Sequence, residues 1–269
     1  MHYLCPHCKQ PLEEYQHSFQ CANHHTFDRA KQGYVNLLTS QKSSHGDDKI
    51  MVRARRNFLD GGFYQPLQNL LIDTIAHLPF PRDNVLDAGC GEGYYTSAIA
   101  NALPHSQVWG IDVSKTAVAM AAKTNANIHW SVASVYQLPF GNSTTDIILS
   151  VFSPFATEEF LRLLKPEGLV IQVIPLEEHL WQLKQILYQT PYRNTPSQES
   201  PSGLSLYQSK DLKYTFRISD WQQLQDLFAM TPYYYTTSPQ DKERLALYNN
   251  LEINAHFRVL VYKKSNANN

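Results

Sequence analysis

Cysteine is scarce in these 269 residues and unevenly placed: of four in all, three fall within the first 21 positions. Such sparse usage excludes a small secreted scaffold stapled by disulfides. No apolar run approaches the roughly 20 residues needed to cross a bilayer, and Met1-His2-Tyr3-Leu4-Cys5 lacks the basic and then apolar stretches of a secretory signal. A soluble cytoplasmic protein is expected. An excess of one charge is missing too: 23 Lys and Arg stand against 24 Asp and Glu, a net charge of −1, which excludes a surface built throughout to hold nucleic acid. Basic residues do gather locally. Between Arg29 and Arg56 lie Arg29, Lys31, Lys42, Lys49, Arg53, Arg55 and Arg56 against only Asp47 and Asp48, an excess that suits phosphate contacts or an ordinary solvated helix face.

What is present is the composition of a folded protein, 43% hydrophobic and 17% charged, in a chain long enough for one large domain and a small module. Residues 1–40 are rich in Cys, His, Gln and aromatics but poor in apolar runs, so they need a staple to fold. The polar stretch Ser40-Gln41-Lys42-Ser43-Ser44-His45-Gly46 reads as a linker. Asp47-Asp48 then stands where helix N-termini favour acids, with helices expected around 48–60 and 65–78. Residues 41–80 thus form a basic linker with helices, and 81–269 a larger domain.

From residue 84 short apolar strands alternate with helical stretches, the pattern of a parallel sheet covered on both faces. Strands are predicted at 84–87, 108–112, 128–132, 146–152 and 169–174, and helices near 94–102, 115–124, 157–164 and 178–188. Lys165-Pro166-Glu167-Gly168 reads as a turn. Residues 189–212, polar and rich in Pro and Ser, are predicted as a long loop. The tail offers strands near 214–218 and 255–262 and helices near 220–229 and 240–250.

Two constellations carry chemistry. The first is Cys5-x2-Cys8-x12-Cys21-x3-His25. A Cys-x2-Cys turn lets two thiolates grip one ion, and a second pair from elsewhere in the chain completes a tetrahedral zinc site. With no carboxylate and no open position the role is structural, and zinc binding then contributes to folding the head. His25 is preferred as the fourth ligand because its spacing repeats zinc-knuckle geometry; His24, His7 and His17 are alternatives.

The second is Val85-Leu86-Asp87-Ala88-Gly89-Cys90-Gly91-Glu92-Gly93-Tyr94-Tyr95-Thr96, a strand, a glycine turn and a helix start. Glycines admit positive φ and let backbone approach a ligand such as a nucleotide. Asp87, ending the strand, repels a pyrophosphate but suits an ammonium group such as that of a methionine moiety. Asp112, ending Val108-Trp109-Gly110-Ile111-Asp112, suits the two ribose hydroxyls of an adenosine. Leu138-Pro139-Phe140 and Asp146–Ser150 fall where an adenine pocket and the mouth of the site are expected, with Ala133 and Ser134 near the adenine. Cys90 reads as packing.

These motifs, together with Phe27-Asp28-x-Ala30-Lys31-x-Gly33-Tyr34-Val35-Asn36-Leu37-Leu38, Arg55-Arg56-x-Phe58-Leu59 and Met230-Thr231-Pro232, resemble the bacterial 23S rRNA (guanine-N1-)-methyltransferases over essentially the whole chain. The resemblance implies an α/β fold of class I methyltransferase type: a Rossmann-like, seven-stranded, mostly parallel sheet with a small N-terminal zinc-binding domain. It implies S-adenosylmethionine as cofactor, structural Zn²⁺, methylation of guanine N1 in a 23S rRNA hairpin, and a homodimer whose heads help form an RNA-binding cleft. On matching positions it assigns Tyr64, Gly91, Glu92 and His179 to the cofactor, joining Asp87, Gly89 and Asp112. Phe155 follows Ser153-Pro154 where some relatives have Cys after Ala-Pro, and Glu167-Gly168 replaces Gly-Gly.

Attack of guanine N1 on a sulfonium methyl needs alignment and loss of the N1 proton. Glu92, Glu158, Glu159 and His179 are conceivable bases, without a spacing argument for any. Phe152, Phe155 and Tyr233-Tyr234-Tyr235 are candidates for stacking on the target base, or for the core. A methyltransferase for a small metabolite, and an RNA-binding factor that keeps the fold without turnover, are the competing readings.

Overall fold

The computed structural model describes residues 1–39, 47–196 and 199–265; the expected linker at 40–46, including Lys42, lies outside them. The head contributes β1 (Leu12–Tyr15), β2 (Ser18–Cys21), β3 (Thr26–Asp28) and β4 (Val35–Asn36). Two helices follow, α1 (Lys49–Asp60) and α2 (Gln65–His77). The alternating part comprises β5 (Asn84–Ala88), α3 (Tyr94–Ala102), β6 (Gln107–Asp112), α4 (Lys115–Thr124), β7 (His129–Val132), β8 (Thr145–Val151), α5 (Thr157–Leu163), β9 (Leu164–Pro175) and α6 (Trp181–Leu187). The tail adds β10 (Leu204–Ile218), α7 (Trp221–Ala229), α8 (Tyr233–Thr236), α9 (Pro239–Leu245) and β11 (Leu251–Lys264).

The large sheet runs β10-β11-β9-β8-β5-β6-β7-β4. β11 is antiparallel to both its neighbours and the other pairings are parallel. Seven of these strands make the expected sheet; the eighth is β4, which the head lays beside β7, pairing Val35 with Ser131 and Asn36 with Val132. Ligands of such sheets sit beyond the carboxyl ends of the strands where the order reverses, here beside β5.

The head is less separate than its sequence suggests. Its strands β1–β3 form a small antiparallel sheet, and Tyr3, Leu12, Phe19 and Val35 join one buried cluster with Trp109, Leu138 and Phe140 of the larger domain. Tyr3 stacks on Phe140 at 5.4 Å and meets Trp109 edge-on at 4.9 Å. The crossover from β7 to β8, residues 133–144, contains no helix, although parallel strands are ordinarily joined by one. The head covers the sheet face that such a helix would shield. Leu138-Pro139-Phe140 therefore serves as the docking surface of the head: the Leu4 N–H donates to the Pro139 carbonyl at 2.8 Å.

Two expectations about secondary structure change. The predicted 189–212 loop is cut short, because β10 begins at Leu204 and pairs with β11 along its length; residues 197–198 of it lie outside the described residues. Edge strands are half solvated, so the polar residues of 205–211 carried no strand signal. The Lys165–Gly168 turn lies inside β9 as a break in register, with Thr145 opposite Leu164 and Ile147 opposite Leu169. Asp146, on the β8 side of that break, is buried and pairs with Lys165 at 2.8 Å.

The shared core gives a test of head docking. Truncating a buried Phe to Ala costs about 3–5 kcal/mol, so Phe140→Ala should lower the melting temperature by on the order of 10 °C in one cooperative transition. Separate melting of the head with an unshifted main transition in calorimetry would contradict a shared core.

Candidate active site and zinc centre

The four predicted zinc ligands converge. Cys5, Cys8, Cys21 and His25 place their donor atoms within 4.8 Å of one another. Sγ of Cys8 lies 3.6 Å from Sγ of Cys21, and Nδ1 of His25 lies 3.5 and 3.4 Å from Sγ of Cys5 and Cys21. Zinc bonds of 2.0–2.3 Å in a tetrahedron require ligand–ligand edges of roughly 3.4–3.8 Å, so the donors fit zinc without rearrangement. His24 is exposed in a left-handed turn at φ 63° and is outside the cluster. The backbone N–H of Gln10, with lesser help from His25 and the other thiols, holds the Cys8 thiol down to about 6. That favours the thiolate a metal needs.

At the carboxyl end of β5 the glycine turn takes the conformations its residues allow: Gly89, Gly91 and Gly93 have φ of 96°, 54° and 84°. A Cβ on Gly89 would strike Ser153 at 2.3 Å and one on Gly93 would strike Trp130 at 2.7 Å, whereas one on Gly91 would meet only the Arg55 guanidinium, at 3.6 Å. Gly89 and Gly93 thus serve packing and Gly91 lies open to the site. Cys90 is buried, its thiol pushed well above the usual range by that burial, as a packing residue would be.

The acids are unusual. Asp87 is 1% exposed and accepts the Thr96 hydroxyl on Oδ2 at 2.5 Å, while its Oδ1 has no partner among the described residues. Glu92 is also buried, with Oε2 unpartnered. Burial raises both carboxyls to about 7; the Thr96 hydroxyl opposes this at Asp87 and Arg55 opposes it at Glu92. Asp112 receives the Gly91 N–H on Oδ2 at 3.0 Å and the Ser114 N–H on Oδ1 at 2.8 Å. Carboxylate oxygens left unpaired in a dry site invite a cation or hydroxyl donors.

Tyr64 and His179, remote in sequence, meet in the core: the Tyr64 hydroxyl lies 3.4 Å from Nε2 of His179. Burial, then the Lys184 and His256 charges, holds His179 down at about 3, so it is neutral. Phe152 lies nearly parallel to its ring, 13° apart, and is 46% exposed at the tip of β8 with φ 53°. Phe155 instead packs against Phe160 and Tyr262 on the opposite side, lining a cleft of about 810 Å³ with Gln172 and Tyr192. The Tyr233–Tyr235 run forms α8; Tyr235 donates to Oδ2 of Asp48 at 2.6 Å, and Lys184 lies over the Tyr233 ring. Among the conceivable bases, Glu159 is held by Arg162 and the Leu138 N–H, and Glu158 is exposed at the start of α5.

Sequence reasoning missed Arg55 as a site residue. It lies on α1, pairs with Asp47, and approaches the Met230 carbonyl at 3.5 Å. A signal existed: Arg55 falls on the same helical stripe as the buried Met51, Phe58 and Leu59, where a charge is unexpected. The rest of the basic cluster is partly neutralised, Arg29 by Glu14 and Arg56 by Asp60.

Sheet order, glycine turn and paired acids define a class I methyltransferase carrying a zinc-binding head. Residues 3–45 match the zinc-ribbon family described as RlmA, N-terminal, and residues 85–168 match the family described as Methyltransferase domain. The chain is 36% identical over 203 residues, 72% of each chain, to the "Putative 23S rRNA (guanine-N(1)-)-methyltransferase YxjB" of Bacillus subtilis (strain 168). To the 23S rRNA (guanine(748)-N(1))-methyltransferase of Streptomyces fradiae it is 36% identical over 182 residues, 66% of this chain and 65% of that one. The chain belongs to the 23S rRNA (guanine-N(1)-)-methyltransferase family, with S-adenosylmethionine as methyl donor and zinc in its ribbon.

Elemental analysis tests the ligand set. Cys8→Ala and His25→Ala should each lose most bound zinc, while His24→Ala retains one equivalent. Zinc kept by His25→Ala and lost from His24→Ala would reverse the assignment.

Proposed function

We propose that this protein transfers a methyl group from S-adenosylmethionine to N1 of a guanine in a 23S rRNA hairpin, acting as a homodimer in the cytoplasm. Membership of the family supports the substrate. The observation that carries the cofactor reading is the pair of buried carboxylate oxygens, Asp87 Oδ1 and Glu92 Oε2, without partners among the described residues, beside the open Gly91. No described helix is long and apolar enough to cross a membrane.

Bound S-adenosylmethionine supplies an electrophilic methyl group on a sulfonium. Asp87, oriented by Thr96, and Glu92 hold its ammonium end. Asp112, fixed by two backbone N–H groups, takes the ribose hydroxyls, and Gly91 lets the backbone come close, while Gly89 admits the packing of Ser153 that shapes the turn. Tyr64 and neutral His179, buried and in contact with each other, are the remaining cofactor contacts. The exposed ring of Phe152 stacks on the target guanine. The protein's main contribution is alignment, which in well-oriented systems supplies about 7–11 kcal/mol of a barrier.

Mass mapping of 23S rRNA from a strain lacking the gene tests this. One methylated guanine should disappear and return on complementation. Unchanged rRNA methylation together with binding of S-adenosylmethionine would favour a small-molecule substrate.

A further inference from the structure

The proposed site has a charge problem that the residues assigned to it leave unsolved. S-adenosylmethionine is a dipolar cation, with an α-carboxylate next to its ammonium group. Asp87, Glu92 and Asp112 are all acids, and Asp47 adds a fourth close by. These groups suit the positive parts of the ligand and repel its carboxylate. A ligand that must put an anion among four acids needs a fixed cation there.

Arg55 is that cation. Its guanidinium lies 3.6 Å from the position of a Cβ on Gly91, over the one open glycine of the turn. The acids around it are set out by their effects: burial opposes the Arg55 charge, while Asp47, Glu92 and Asp112 together hold the group more basic than usual. α1 is fixed at its N-terminal end. Asp48 caps its N-terminus and is itself held by Tyr235, and the Ser114 hydroxyl just after β6 donates to the Asp47 carbonyl at 3.0 Å. The guanidinium has five N–H donors. Asp47 and the long contact to the Met230 carbonyl leave part of that fork facing the glycine turn.

We infer that Arg55 binds the α-carboxylate of S-adenosylmethionine, completing a site in which acids hold the ammonium and ribose and one arginine holds the anionic end. This rests on the cofactor reading given above. It also gives the Arg55-Arg56-x-Phe58-Leu59 stretch a role: α1 packs its apolar residues into the core and carries Arg55 to the edge of the glycine turn.

The alternative is an arginine that only ties Asp47 to the fold. The two separate when S-adenosylmethionine is compared with its decarboxylated analogue, which keeps the adenosine, the sulfonium and the amine. Calorimetry on the zinc-loaded protein should show the wild type binding S-adenosylmethionine about 10- to 100-fold more tightly than the analogue, as expected for a hydrogen-bonded charge pair. Arg55→Gln should weaken S-adenosylmethionine by about that factor and the analogue by less than about threefold. Arg55→Lys, which keeps the charge without the fork, should fall between. Equal binding of both ligands by the wild type overturns the inference without recourse to a variant. So does equal weakening of both ligands in an Arg55→Gln protein that melts like the wild type. Failure of the wild type to bind S-adenosylmethionine at all would instead remove the cofactor reading.

Discussion

The structure depends on keeping two carboxyl groups, Asp87 and Glu92, out of water at the carboxyl end of the central strand. Burying an acid without full pairing costs free energy, and the raised carboxyl values record that cost. Much of the surrounding packing enforces it. Trp130 fills the space under Gly93 and Gly110, Ser153 closes against Gly89, Thr96 turns Asp87, and Arg55 covers the turn from α1. Such preorganisation is what a methyl-transfer site requires, since the donor is already reactive and the catalyst's task is to hold it in line.

The zinc head belongs to the same construction. The ion fixes a module too small to fold on its own apolar residues, and Tyr3 and Phe19 pack it onto the sheet. By replacing a crossover helix and adding β4 as an edge strand, the head shares a core with the domain that holds the glycine turn. Its position relative to that turn is therefore set by packing.

The sequence made the chemistry more legible than the connections. Asp87, the glycine turn and Asp112 were readable because each occupies a strand end whose apolar residues announce it, and the zinc ligands because few other patterns space Cys and His in this way. His25 rather than His24 follows from a left-handed turn that places His24 outside the cluster. Elements whose signal is tertiary stayed hidden. β10 is an edge strand with few buried positions, β4 is two residues long, and the Lys165–Gly168 break looks like a turn to any local reading. That Leu138-Pro139-Phe140, expected with Asp146–Ser150 where an adenine pocket and the mouth of the site lie, also receives the head has no local signature. Arg55 was noticed as a charge but not as an inward one, since its partners lie as far away as Met230.

Because burial raises Asp87 and Glu92 to about 7 from ordinary values of 3.8 and 4.5, these groups take up protons on folding, and their contribution to the stability of the empty protein falls as pH rises toward 7. A cationic ligand favours the ionised forms, so its binding releases protons near neutrality and tightens as pH rises. The most direct measurement is a calorimetric titration of S-adenosylmethionine into the zinc-loaded protein between roughly pH 5.5 and 7.5. Saturable binding that strengthens with pH, with proton release near pH 7, is the expected result. No binding, or an affinity unchanged across that range, would contradict an acid-lined cofactor site.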